Sequence, residues 1–167
     1  YYRRGWQLTI TDPEGGVWMV REPQGFYQSY FTPDPDRPLH AGPVTPTDYI
    51  ALDYLLSRPA APIRLLPLGL AGNRRFLAFC HDWQQGQYVV ARQEGRPMSL
   101  AAALPQEQGV QVDVFGLTPA PMKAALERLL EGLVGAFALV AARDVHRREV
   151  IEALGGRMQR TTTEIIA

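Results

Sequence analysis

Between Tyr88 and Leu133 the apolar residues change their spacing once, from every second position to every third or fourth, and such a chain must lay a helix against a sheet. Tyr88 to Ala91 and Met98 to Leu104 read as two strands joined by the polar turn Arg92 to Pro97. Val110, Val112 and Val114 alternate with Gln111 and Asp113 as a third strand, completing a meander. From Thr118, as cap, Met122, Leu126, Leu129, Leu130 and Leu133 mark one helical stripe that ends near the glycines at 132 and 135. The run Ala136 to Ala141 then suits a strand buried on both faces. Asp144 can cap a last helix with Val150, Ile151 and Leu154 on its apolar side, closed by Gly155-Gly156 and followed by a strand through Thr161, Thr163 and Ile165. The fold class is α/β, in the form of an α+β mixed sheet.

The first third is organised differently. Trp6 to Thr11 alternates, Asp12-Pro13-Glu14-Gly15-Gly16 supplies turn chemistry, and Val17 to Val20 resumes the pattern, which predicts a β-hairpin. The aromatic segment Phe26 to Phe31 adds a further strand, and the proline-rich stretch Thr32 to Pro43 reads as an extended linker, because proline cannot donate to a ladder. Thr45-Pro46-Thr47-Asp48 opens a helix whose buried stripe is Tyr49, Leu52, Leu55 and Leu56. Ile63 to Leu70 is open between strand and coil, and Asn73 to Gln84 between helix and strand. The domain reading is 1–31 as a strand segment, 32–43 as linker and 44–167 as the main domain.

At 167 residues the chain is long enough for one substantial core. Its formal net charge of zero gives no broad electrostatic footprint for nucleic acid, and the pairs Arg3/Arg4, Arg74/Arg75 and Arg147/Arg148 read as solvated faces. The longest apolar run, Leu133 to Ala142, is broken by Gly135 and too short to span a bilayer. One cysteine, Cys80, excludes an internal disulfide framework and makes the cytoplasm the default compartment. Within its apolar stretch Cys80 reads as a small buried residue rather than a nucleophile, and the adjacent His81 diverges from it in direction. Three scattered histidines show no metal-ligand spacing, and Ser29, Ser57 and Ser99 lack a nucleophile-elbow setting. The chain opens on Tyr1 with no signal pattern before it, which predicts that it was trimmed from something longer.

The order helix, helix, three strands, helix, strand, helix, strand, from Leu39 to Ala167, resembles the GNAT family of N-acetyltransferases. Two segments carry the likeness most: Gln87 to Met98, similar to that family's central hairpin, and Ala136 to Gly156, where a strand leads into a helix ending Ile151-Glu152-Ala153-Leu154-Gly155. The opening Tyr1-Tyr2-Arg3-Arg4-Gly5-Trp6 and its hairpin look like the same family's terminal helix turn and last strands, so an upstream unit of the same protein is expected as a partner. An unrelated hairpin is the plainer alternative.

The resemblance implies acetyl-CoA as donor and a small-molecule or peptide amine as acceptor. It implies a donor held in a splay between two central strands, with its pyrophosphate on backbone N–H groups at the next helix start. The matching positions are Val112, Val114, Phe115, Gly116 and Met122, but the family's Arg/Gln-x-x-Gly-x-Gly/Ala motif is missing. Pro119 and Pro121 also remove two of about four free donors in that first turn. The family's tyrosine on the last helix corresponds to Ile151, and in the opening fragment to Tyr1 or Tyr2. Asp113 is a candidate base, against the simpler reading of an outward polar residue on an alternating strand. His146, at the start of the last helix, reads as a solvated residue. His81, Asp82 and Trp83 could line an acceptor pocket or a surface turn, and His40 has no partner in sequence.

Two function classes follow: an acyltransferase in which this unit has a degenerate donor site, or a non-catalytic structural or ligand-sensing module. A third, fainter likeness, from Pro67-Leu68-Gly69-Leu70 onward, is to WYL domains of transcription regulators, which would require a basic DNA-binding element elsewhere.

Overall fold

The strand β5 (Arg96–Gln106) organises the molecule, because its side chains are buried on both faces from Met98 to Ala103. In the computed structural model the described residues are 6–11, 17–21, 25–57, 87–107, 109–138, 140 and 144–157. The expectations for Ile63 to Leu70, Asn73 to Gln84, Thr161 to Ile165 and Tyr1, Tyr2, Cys80, His81, Asp82 and Trp83 lie outside the described residues.

β1 (Trp6–Thr11) and β2 (Val17–Arg21) pair antiparallel as a separate two-stranded sheet, as their alternation predicts. The main sheet runs β3 (His40–Pro43), β4 (Gln87–Gln93), β5, β6 (Gly109–Gly116) and β7 (Ala136–Phe137) in that spatial order. Its pairs are antiparallel except β6–β7, which is parallel. β4 and β5 join through Glu94 (φ 51°) and Gly95 (φ 76°), two successive left-handed residues as a two-residue hairpin requires.

Among the described residues four helices cover the sheet: α1 (Phe26–Phe31), α2 (Tyr49–Ser57), α3 (Pro119–Leu130) and α4 (Val145–Ala153). Strand alternation divides their partners. Val90, Leu100, Ala102 and Phe115 pack with Tyr27, Phe31, Leu52 and Leu55 of α1 and α2, whereas Ala91, Ala101, Ala103, Val112 and Val114 pack with α3 and Val150 of α4. The three alanines of β5 keep both helical layers close to the sheet.

Three expectations need correction. Phe26 to Phe31 is a helix, not a strand: the run is rich in β-favouring aromatics, but the helix stacks Tyr27 on Phe31 (centroids 5.0 Å apart) and turns both onto the core. Tyr27 also donates to the Leu55 carbonyl at 2.8 Å. Thr32 to Pro43 is not a free linker, because His40–Pro43 pairs with β4 as an edge strand, the one place a ladder tolerates Pro43. Gln93, 1% exposed, pins the same segment by accepting from Asp34 N–H at 2.8 Å and donating to the carbonyls of Asp34 and Arg37 at 2.8 and 3.0 Å. Ala136 to Ala141 is not a doubly buried strand over its described part, since only Ala136 and Phe137 pair and Ala136 is exposed.

The start of α2 obeys its sequence more closely. Pro46–Asp48 forms a 3₁₀ turn, and the Asp48 carboxylate accepts from the Thr45 N–H at 2.7 Å and the Thr45 hydroxyl at 2.8 Å. Arg92 then clamps Asp48 with one edge of its guanidinium, Nε at 2.8 Å from Oδ1 and Nη2 on Oδ2, and Nη2 adds a bond to the Pro43 carbonyl at 2.8 Å. No described helix is long and apolar enough to cross a membrane.

Candidate functional site

β6 ends at Gly116 and α3 begins at Pro119, so the junction between them carries the first free backbone donors of the helix. On its other side β6 is only briefly paired among the described residues. Val110 and Gln111 face Ala136 and Phe137, and Ala138 and Val140 lie outside the ladder. Val110 N–H reaches the Gly135 carbonyl at 3.3 Å, so the backbone groups of Val112 and Val114, two and four residues on, point along the same edge. β6 and β7 therefore part beyond Gln111.

The structure brings Val112, Val114, Phe115, Gly116 and Met122 to this junction, but commits their side chains elsewhere. Val112, Val114, Phe115 and Met122 are buried in the two cores. Gly116 lets α3 approach, since a Cβ there would stand 2.6 Å from Met122 Cγ and 3.0 Å from Ser99 Cβ. Only backbone groups remain to meet a ligand, and Val114 N–H already donates to Asp113 Oδ1 at 2.9 Å.

Two features oppose an anion at the start of α3. Pro119 and Pro121 occupy the first and third helical positions and have no N–H. The N-cap Thr118 makes no side-chain cap bond, and its Oγ1 is buried without a partner. Proline contributes to the second observation, because a threonine cap bonds the N–H of the second or third helical residue and Pro121, the third, has none. Ser99 Oγ donates to the Pro121 carbonyl at 2.6 Å, tying this turn to β5.

Asp113 is not the outward polar residue of an alternating strand. It is 5% exposed, on the same face as Ala102 and Phe115, with Arg147 Nη1 2.7 Å from its Oδ1. Arg147, which the sequence places with Arg148 on a solvated face, is 1% exposed, and only Arg148 is on the surface. Its Nε lies 3.2 Å from Asp144 Oδ2, and its Cζ stands 5.3 Å from the Phe115 ring centroid. Asp144 caps α4 by accepting the Arg147 N–H at 3.2 Å. A signal for Arg147 was present: Arg147, Val150, Ile151 and Leu154 follow i, i+3, i+4, i+7, which puts the arginine on the apolar stripe.

The remaining candidates do not converge on the junction. Ile151 lies one turn after Arg147 and packs beside the α3-side core, offering no proton. His146 is exposed, 3.7 Å from Glu149, and His40 is exposed on the edge strand. Among the described residues no group of three or more His, Cys, Asp or Glu side chains could hold a metal. A groove of about 400 Å³ lies by Pro43, Val89 and Arg128 and includes none of the predicted site residues. The residues of the junction do not fit an acyl-coenzyme A held in the pose the resemblance implies: two donors are missing, a third N–H is engaged and a buried cation stands beside the strand.

No protein-family model matches the chain, and no curated protein does. Among solved structures, a protein of Thermus thermophilus is similar at 16% identity over 77% of this chain and 96% of its own, with TM-score 0.54. A candidate acetyltransferase from Agrobacterium tumefaciens is similar at 16% identity over 77% and 99%, with TM-score 0.55. A transcriptional regulator from Bacillus halodurans is similar at 9% identity over 78% and 100%, with TM-score 0.51. Identities this low bear on the fold alone, and the fold is GNAT-like: a five-stranded mixed sheet with four helices among the described residues.

Proposed function

We propose that this chain is a GNAT-fold unit that supports acyl transfer in a longer protein without holding the acyl donor itself. The observation that carries this reading is the start of α3, where Pro119 and Pro121 replace two backbone donors and Thr118 Oγ1 is left buried and unpartnered. Acetyl-CoA binding and the base for an amine acceptor then belong to an upstream unit, whose last strands β1 and β2 would represent, and a cytoplasmic setting agrees with the single cysteine. Fold likeness supports the family connection and no particular chemistry.

A second reading, a non-catalytic module that senses a small ligand or stabilises a partner, is favoured by the fold likeness to a protein described as a transcriptional regulator. Calorimetric titration with acetyl-CoA separates the two. Binding to a longer chain carrying the upstream unit, and none to this chain, is the expected result. Micromolar binding to this chain alone, about −8 kcal/mol, would overturn the proposal, and no binding to either chain would leave the sensing module as the better account.

A further inference from the structure

We infer that the gap between β6 and β7 is filled from within: the Arg147 guanidinium lies in it as a built-in ligand that latches α4 to β6. The inference deepens the proposed function and depends on it only for what the latch excludes. Val150, Ile151 and Leu154 hold α4 in the core on the α3 side of the sheet. Asp113 and Phe115 project from the opposite face, beside Ala102 and Leu100. Arg147 belongs to the same stripe of α4 and yet meets both of them, at 2.7 Å and 5.3 Å.

A side chain can pass from one face to the other only where β6 has no neighbour, because paired strands about 4.8 Å apart leave no channel. Among the described residues that condition begins beyond Gln111, at the level of Asp113. A guanidinium 1% exposed needs compensating charge, and Asp113 and Asp144 supply it. Arg147 Nε, Nη1 and Nη2 make no aligned hydrogen bond, so the hold is chiefly ionic and a free guanidinium ion can take the same place. With the gap occupied, the slender arm of an acyl carrier has no path along β6.

Arg147→Ala leaves a carboxylate and an aromatic face around a cavity of guanidinium size. Its melting temperature should fall below wild type, and low-millimolar guanidinium chloride should recover part of the loss in a saturable way that sodium chloride at equal concentration does not. The recovery should vanish in Asp113→Ala/Arg147→Ala. Wild-type melting of Arg147→Ala, equal effects of the two salts, or recovery that survives loss of Asp113 would each overturn the latch. Should Arg147→Ala fail to fold, Asp113→Leu/Arg147→Met decides: it removes both partners of the closest ion pair, leaves Asp144 on the cap of α4, and should melt above either single variant, whereas melting at or below either one would overturn the latch. None of these measurements involves a coenzyme, so the latch and the proposed function can fail separately.

Discussion

Asp48 is buried at the entry to α2, and burial on its own disfavours a carboxylate; the hydrogen bonds from Arg92 and from the Thr45 N–H and hydroxyl outweigh it and hold its pKa below the ordinary 3.8. A group more acidic in the folded than in the unfolded chain contributes stability that is complete above the unfolded value and lost as pH falls through the folded one. Melting temperature should therefore fall on acidification below that ordinary value, and Asp48→Asn should flatten this acid limb. At neutral pH the same variant should lose about 1.5–3 kcal/mol, the usual size for hydrogen bonds to a charged group, measured by urea unfolding. Thr118 offers an opposite case, a buried hydroxyl with nothing to accept. Thr118→Ala should be nearly neutral in the wild type, but should cost about 0.5–2 kcal/mol in a Pro121→Ala background, where the cap recovers an N–H. A double-mutant cycle in urea reads the difference, and equal costs in the two backgrounds would refute the proline explanation.

At the scale of elements, what was legible in the sequence was what repeats. The alternation of Val110, Val112 and Val114 and the stripe from Met122 to Leu129 correspond to β6 and α3, because each residue there sees the same neighbour type along its length. The helical Phe26 to Phe31 was hidden because six aromatic-rich residues satisfy a strand pattern equally well, and contacts with Tyr54 and Leu55, more than twenty positions away, decide the outcome. The short β7 was hidden for a related reason: apolar residues from Ala136 onward announce burial but not where a neighbouring strand stops pairing. At the candidate site Pro119, Pro121 and Ile151 could be read as departures from a pattern. Arg147 required the helical period to be applied to a charged residue, since its doublet with Arg148 suggests solvent.

For the whole molecule, Tyr27 and Phe31 share one core with α2, β4, β5 and β6, and Gln93 fastens the proline-rich segment between them. A chain beginning at Gly25 should unfold cooperatively, whereas one beginning at Val44 loses α1 and β3 and should not, as followed by circular dichroism during urea titration. Phe31→Ala within the intact chain should cost about 3–5 kcal/mol, the usual range for a buried phenylalanine. Retention of full stability by the Val44 chain would restore the view of residues 32–43 as a spacer. Ala101, Ala102 and Ala103 lie side by side on the middle strand, with odd and even positions under different helical layers. That strand thus acts as a shim that sets the thickness of the slab. One added methyl group at Ala102 would lift the α1–α2 layer, the same change at Ala101 would lift α3, and the spacing of each layer can be adjusted without disturbing the other.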